Sequence, residues 1–403
     1  MNDTITDSPE TLRAQMVDRI TAAGWAQTPR VAEAMRTVPR HLFVPHAPLA
    51  EAYDDLAVIT KRSADGTALS CASEPVIVAM MLDQLDVQPG HRILEIGAGT
   101  GYNAALLAFL TGPDEQVTTV DIEPDITAQA RQNLDATGHH QVHVATPDGT
   151  LGDPDRAPYD RIILTVGAWD IPAAWWSQLT PGGRLVVPLR WRGQTRSIAF
   201  DYTDHLLRSD SVHLCGFVPM VGQEGERSGH IDLDGLVTLY WDEDQRIDPT
   251  TLRGVFDQPK ATAWSAVTVG GEDPFDSVWL RLTSTEPGTS RIAAAPEAVK
   301  AGLCTPAIPV RSPALVEDIS LAYLALRRLN QQGSPDARWE LGAIGHGPTG
   351  AQLADRLCDQ IRAWDHDRTA QPVITAYPAR AGDDEPGNGH PIHKRASRLT
   401  VSY

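Results

Sequence analysis

Basic residues are in short supply in this chain. Lys and Arg number 34 against 52 Asp and Glu, a formal charge of −18 over 403 residues. That sign excludes a protein built to grip a phosphate backbone or an anionic lipid surface, so neither nucleic acid nor membrane is an expected partner. Cysteine is scarce as well. Cys71, Cys215, Cys304 and Cys358 are widely separated and form no Cys-x-x-Cys pair or Cys/His cluster, which argues against a disulfide framework and against a metal site. Long apolar runs are missing: Val76–Leu82 falls far below the ~20 residues needed to span a bilayer. The opening residues carry Asp3, Asp7 and Glu10 without a basic segment leading into an apolar one, so no secretory signal is expected and the expected location is the cytoplasm. No internal repeat is visible. What is there is ordinary for a globular protein, with 42% hydrophobic and 21% charged residues and a mean hydropathy of −0.24. At roughly 100–200 residues per domain the length predicts two or three domains.

Ser8-Pro9-Glu10 predicts a helix start, with Ser at the N-cap, Pro in the first turn, and Leu12, Met16 and Ile20 following at spacing four. A second helix is expected over Arg30–Thr37, ending at Val38-Pro39. From Ile93 the pattern becomes rhythmic. Strands are predicted at Arg92–Ile96, Gln116–Asp121, Gln141–Ala145, Tyr159–Val166 and Arg184–Pro188, alternating with helices Tyr102–Leu110, Pro124–Ala136 and Ala173–Leu179. Alternation of this kind predicts parallel pairing and a doubly wound α/β sheet. Strand-like runs Ser197–Tyr202 and Leu206–Val218 follow. The glycine-rich, charged stretch Val221–Asp234 is the expected boundary, dividing the chain into 1–228 and 229–403. Beyond it, strands are expected at Leu236–Trp241, Ala263–Val269, Val278–Ser284 and Val373–Tyr377, with helices at Ser312–Leu329 and Thr349–Trp364, an α+β pattern. The Gly/Asp/Pro-rich run Ala379–His390 reads as a linker.

Leu94-Glu95-Ile96-Gly97-Ala98-Gly99-Thr100-Gly101-Tyr102 is a strand running into a glycine turn and then a helix. Glycines at 97, 99 and 101 leave backbone N–H groups open to a ligand at a helix N-terminus, although such turns also serve tight strand–helix packing. Asp121, followed by Ile122, ends the next strand, where a carboxylate accepts hydrogen bonds from both hydroxyls of a ribose. Its bland reading is a cap for the helix at Pro124. Asp148-Gly149 follows the third strand, where a carboxylate accepts from the amine of adenine; its bland reading is a turn. Glu95 stands before the glycines, and an acid there suits an ammonium group better than a pyrophosphate. The set therefore points to S-adenosylmethionine, with S-adenosylhomocysteine as product, rather than to a dinucleotide.

Arg30–Pro45 (RVAEAMRTVPRHLFVP), Ala72–Met81 (ASEPVIVAMM), Leu94–Gly101 (LEIGAGTG), Asp148-Gly149, Tyr159–Ile163 (YDRII) and Pro181–Pro188 (PGGRLVVP) occur in unbroken order. Together they resemble the protein-L-isoaspartate O-methyltransferase family over roughly residues 10–200. The resemblance implies a doubly wound, Rossmann-like S-adenosylmethionine-dependent methyltransferase domain that methylates an aspartyl or isoaspartyl carboxylate in a polypeptide. It also implies a catalytic role for Ser73, whose alternative is an N-cap for the helix beginning at Pro75. Glu74 departs from the family pattern, which commonly has a small residue or glutamine there.

A family member of the repair type would be complete soon after Pro188. The α+β extension, with tryptophans at 241, 264, 279 and 339, is similar to the C-terminal domains of family members that modify ribosomally made peptides in lanthipeptide and graspetide pathways. The segments carrying that similarity are Trp264–Ser277 (WSAVTVGGEDPFDS) and Trp339–Pro348 (WELGAIGHGP). There the methyl ester is displaced by a backbone N–H, giving an aspartimide that either persists or opens to isoaspartate. The implied partner is a modified precursor peptide, and His346 is a candidate substrate contact or a loop or capping residue. The alternatives are a repair methyltransferase and a non-catalytic S-adenosylmethionine-binding scaffold. Retention of the glycine turn, Asp121, Asp148 and Ser73 argues against the scaffold.

Overall fold

The computed structural model describes residues 7–64, 66–114, 116–330, 337–379 and 390–403. The chain divides into two compact units, one of residues 1–189 and 195–223, the other of residues 190–194 and 224–403.

In the first unit, α1 (Pro9–Ala22) begins where the Ser8 Oγ accepts the Thr11 N–H at 3.2 Å, and it buries Met16, Val17 and Ile20. Next come α2 (Pro29–Thr37), the short α3 (Leu49–Ala52), an antiparallel hairpin of β1 (Val58–Arg62) and β2 (Ala68–Ala72), and α4 (Pro75–Leu85). The alternating part follows as β3 (Ile93–Ile96), α5 (Tyr102–Thr111), β4 (Val117–Val120), α6 (Pro124–Ala136), β5 (His143–Ala145), β6 (Tyr159–Leu164), α7 (Ala173–Gln178) and β7 (Leu179–Trp191). It closes with β8 (Gln194–Thr203) and β9 (Leu206–Leu214). Within this unit the strand order is β9-β8-β7-β6-β3-β4-β5, with parallel pairing from β7 through β5. Every residue of β3 and β4 is buried, as expected of parallel strands covered by helices on both faces. The order reverses at β3, and a crevice at the carboxyl ends of β3 and β4 is the place where such sheets bind ligands. The expected strand 206–218 stops at Leu214, because residues 216–218 leave the ladder to line that crevice.

The second unit is built on an antiparallel sheet ordered β10-β11-β13-β14-β15-β16-β12. Its strands are β10 (Glu226–His230), β11 (Val237–Asp242), β12 (Lys260–Gly270), β13 (Thr289–Ala294), β14 (Ser312–Glu317), β15 (Ser320–Arg328) and β16 (Arg338–His346). The helices are α8 (Ser277–Thr285), α9 (Pro296–Lys300) and α10 (Gly350–His366). Leu353, Leu357, Ile361 and Trp364 of α10 pack with Val278 and Leu282 of α8 on the sheet. In the chain-terminal part, β17 (Val373–Pro378) and β18 (Ile392–His393) flank β19 (Ser397–Ser402), both antiparallel.

Three expectations are corrected here. The helix expected over 312–329 is the hairpin β14–β15, turning at Asp318 with φ 50°. Both faces of β15 are covered, so six successive buried residues erase the alternation that marks a strand. The strand expected over 278–284 is α8: tertiary packing of Val278 and Leu282, four apart on one helix face, overrides the strand preference of a short Val/Trp/Thr-rich run. The division falls between Gln223 and Glu224 instead of after 228, because β10 is paired with β11 along its whole length. Residues 190–194 also count with the second unit. There the Arg192 guanidinium is buried and meets Asp242 at 3.1 Å and Asp244 at 2.5 Å. Of the expected linker 379–390, residues 380–389 lie outside the described residues.

Candidate active site

The site is assembled from the glycine turn upward. Gly97 has φ 105°, and a Cβ there would lie 2.5 Å from the Thr165 Oγ1, so only glycine lets the chain turn under β6. The N–H groups of Gly97 and Ala98 donate to the Val120 carbonyl at 2.8 and 3.0 Å, which ties the turn to the end of β4. The Gly99 N–H donates to the Asp121 Oδ2 at 3.3 Å, and the Glu123 N–H to its Oδ1 at 3.2 Å. Asp121 thus braces the turn. The cap position of α6 is Glu123, so Asp121 does not serve as its cap residue. Burial holds the Asp121 carboxyl above its ordinary pKa, against the backbone hydrogen bonds of Glu123 and Gly99.

Glu95 is fully buried in the middle of the sheet. Its Oε1 accepts from the Asn103 Nδ2 at 2.8 Å and its Oε2 from the Thr119 Oγ1 at 2.5 Å. The β3–β4 register sets Glu95 directly opposite Thr119. Burial pushes the Glu95 carboxyl up to about 7, the two hydrogen bonds opposing the shift and Asp121 adding to it.

Ser73 lies between β2 and α4. Glu74 is the cap residue of α4, and its carbonyl accepts from the Ile77 and Val78 N–H groups at 3.0 and 3.1 Å. Ser73 is therefore not required as a cap. The segment is held from behind by Arg40, whose Nη2 donates to the Ser73 carbonyl at 2.8 Å and the Ala72 carbonyl at 3.3 Å, and whose Nε donates to the Ala52 carbonyl at 2.8 Å.

A cavity of about 220 Å³ is lined by Ser73, Glu74, Glu95, Gly97, Ala98, Gly99 and Asp121, with Thr165 and residues 216–218 opposite. Four candidate cofactor residues, and His346, lie outside this lining. Gly101 is the N-cap of α5, and its missing side chain makes room for Leu134 and the Ala130 carbonyl. Ile122 is partly exposed beside Asp121. Asp148 caps a short turn, its Oδ1 accepting from the Thr150 N–H at 2.9 Å and Oγ1 at 2.8 Å, as in the turn reading. Gly149 packs where a Cβ would lie 2.6 Å from Ile96. His346, in the second unit, is 2% exposed and stacked on Tyr323 at 5.9 Å. It is a core residue, which removes it as a loop residue and as a surface contact for substrate.

Sequence reasoning missed Arg40, Asn103 and Thr119. Thr119 carried a signal, a polar residue within a wholly buried strand; Arg40 carried none, since its partners are backbone carbonyls. Among the described residues, no group of three or more His, Cys, Asp or Glu is arranged to hold a metal ion, and no helix is long and apolar enough to cross a membrane.

The family described as protein-L-isoaspartate(D-aspartate) O-methyltransferase matches residues 11–225. A protein-L-isoaspartate O-methyltransferase of Methanopyrus kandleri is 42% identical over 215 residues, covering 53% of this chain and 92% of that protein. Protein-L-isoaspartate O-methyltransferase 2 of Marinobacter nauticus is 40% identical over 216 residues, with 53% and 92% covered. A solved protein-L-isoaspartate O-methyltransferase structure shares the fold at a TM-score of 0.51 and 19% identity, over 97% of this chain and 100% of that one. With over half of its length matched and relatives aligned across nine-tenths of theirs, this chain belongs to the protein-L-isoaspartate O-methyltransferase family of S-adenosylmethionine-dependent carboxyl O-methyltransferases.

Proposed function

We propose that this enzyme methylates an aspartyl carboxylate within a ribosomally made, macrocyclised peptide, and that the ester then closes to an aspartimide, which persists or opens to isoaspartate. The observation that carries the methyl-transfer part is the meeting of Ser73, the glycine turn, Glu95 and Asp121 around one cavity. The residues fit S-adenosylmethionine: Gly97, Ala98 and Gly99 bring bare backbone to the cavity wall, with only the Cys71 carbonyl within 4 Å of where a Gly99 side chain would begin, Glu95 offers a buried acid to an ammonium group, and Asp121 offers carboxylate oxygens to the ribose hydroxyls. Ile122 provides an apolar surface for an adenine ring. Asp148 keeps its Oδ2 for the adenine amine while its Oδ1 takes the Thr150 N–H and hydroxyl in the short turn that begins at Gly149. When bound, the cofactor supplies an electrophilic methyl group on a sulfonium.

The rest of the chemistry falls to alignment. An aspartyl carboxylate with a pKa near ~3.9 is already ionised at neutral pH and is its own nucleophile. Ser73 donates a hydrogen bond that aims one carboxylate oxygen, and the apolar surfaces of Phe217 and Val218 keep the site poor in water. Ser73→Ala is expected to leave cofactor affinity unchanged and to slow single-turnover methyl transfer on the order of 10- to 100-fold. A wild-type single-turnover rate in that variant would leave Ser73 a lining residue only.

The peptide-tailoring part rests on the second unit, most of which lies beyond the residues matched by the family, and on the two segments of subgroup resemblance. These run along neighbouring strands β12 and β16, paired Trp264↔Gly342 and Val269↔Trp339. The second reading, repair of isoaspartyl proteins, is favoured by the names of the relatives at 42% and 40% identity. Mass spectrometry separates them. A crosslinked precursor should first gain one methyl in place of a hydrogen; attack by the backbone N–H of the following residue should then expel methanol, for a net loss of one water that opening to isoaspartate restores. A linear version should react poorly. Preferential, stable methylation of a generic isoaspartyl peptide would overturn the tailoring reading and establish the repair one.

A further inference from the structure

The cavity has a charge imbalance. Its lining carries Glu74, Glu95 and Asp121 and no Lys, Arg or His, yet the proposed reaction brings a further carboxylate into it. A positive charge does lie behind the wall. Arg40 is 0% exposed, its Nη2 and Nε are spent on the carbonyls of Ala72, Ser73 and Ala52, and its guanidinium carbon sits 5.0 Å from the centre of the Tyr102 ring. Its Nη1 is buried with no hydrogen-bond partner. The ionisable groups facing it are Tyr53, Cys71 and Tyr102, all neutral at physiological pH, and among the described residues no carboxylate forms an ion pair with it. A fully buried cation without a counter-ion is costly. Holding three carbonyls does not require one, because neutral donors would serve.

We propose that Arg40 is the counter-charge for the methyl-accepting carboxylate: a positioning residue that holds the Ala72-Ser73 backbone and keeps the bound carboxylate ionised in a cavity otherwise lined by acids. This rests on the carboxylate-methylation reading above. Desolvation and the neighbouring carboxyl groups of Glu74 and Asp121 favour the protonated substrate, a poor nucleophile, against the cofactor's sulfonium. The guanidinium, separated from the cavity by one peptide layer, opposes that through a low-dielectric wall.

The test is kcat against pH for methylation of an isoaspartyl peptide at saturating S-adenosylmethionine, since kcat reports ionisation in the bound complex. Wild type, Arg40→Lys and Arg40→Gln are compared, with thermal melting and cofactor affinity as controls for the fold. In Arg40→Gln the acid limb should move up by about one pH unit or more. In Arg40→Lys it should coincide with wild type even where kcat itself is lower. A Gln variant whose acid limb coincides with wild type would overturn the proposal, and a purely structural role would lower kcat without moving the limb. A binding measurement on wild type decides the matter should the Gln variant not fold. Loaded with S-adenosylhomocysteine, which has no sulfonium charge, the enzyme should bind the isoaspartyl peptide at least about tenfold more tightly than the same peptide with that carboxylate made a carboxamide. Equal affinities would overturn the role of Arg40. Failure of wild type to methylate any isoaspartyl or crosslinked peptide would instead overturn the functional reading, and the binding comparison would still report on Arg40.

Discussion

Asp121→Ala is expected to weaken S-adenosylmethionine binding by about 1.5–3 kcal/mol, roughly 10- to 150-fold in Kd, because charge-assisted acceptors for two hydroxyls are lost at once. The direction follows from how the carboxylate is placed. One oxygen already takes the Gly99 N–H at 3.3 Å and the other the Glu123 N–H at 3.2 Å; both contacts are long, and each oxygen keeps a further lone pair for a ligand. The same contacts brace the glycine turn, so alanine removes both an acceptor and a strut. Asp121→Asn separates these effects, since the amide retains one acceptor oxygen and should give an intermediate loss. Titration calorimetry measures both. Affinity unchanged in Asp121→Ala would move the ribose clamp to another residue.

The second large effect concerns Glu95 and pH. Burial raises this carboxyl from 4.5 to about 7, so between those values the folded protein holds a proton that the unfolded chain releases. Stability from this group is therefore fully present below about pH 4.5 and is lost as pH rises through 7, by on the order of 3 kcal/mol for a shift of that size. Glu95→Gln lacks the titration. In urea melts of cofactor-free protein, the stability of Glu95→Gln relative to wild type should rise steadily from pH 4.5 to 7.5 by up to ~3 kcal/mol. A constant difference across that range would mean that Glu95 stays ionised in the fold, held by Asn103 and Thr119. Saturating S-adenosylmethionine should flatten the dependence in wild type, because an ammonium group beside Glu95 favours the charged carboxylate.

Much of the candidate site was legible without coordinates because its signals are local. A strand, three glycines and a helix within nine residues define a turn open to a ligand, and an acid at the end of the following strand lies on the same edge of a parallel sheet by the rules of right-handed crossover. Asp148 and Gly149 were legible as a strand-end pair. In the fold their Oδ1 and missing Cβ have local tasks, capping for one and packing against Ile96 for the other. Glu95 was legible as an acid beside the turn. That it is wholly enclosed and paired with Thr119 depends on the β3–β4 register, which brings together residues 24 apart in sequence.

The sequence by itself determined the alternating order of the first unit and the residues offered to a cofactor, since strand and helix periods and glycine turns are properties of short segments. Only the tertiary structure decided three things. It made 312–328 a hairpin and 277–285 a helix, because a sheet covered on both faces leaves no alternation to read and because packing outweighs a short run's preference. It removed His346 from the surface by stacking it on Tyr323. And it set the Arg40 guanidinium against the carbonyls of Ala72 and Ser73, 32 and 33 residues away. Any residue supplies a carbonyl, so a charge held by backbone leaves no mark in a sequence and becomes visible only when the chain is folded.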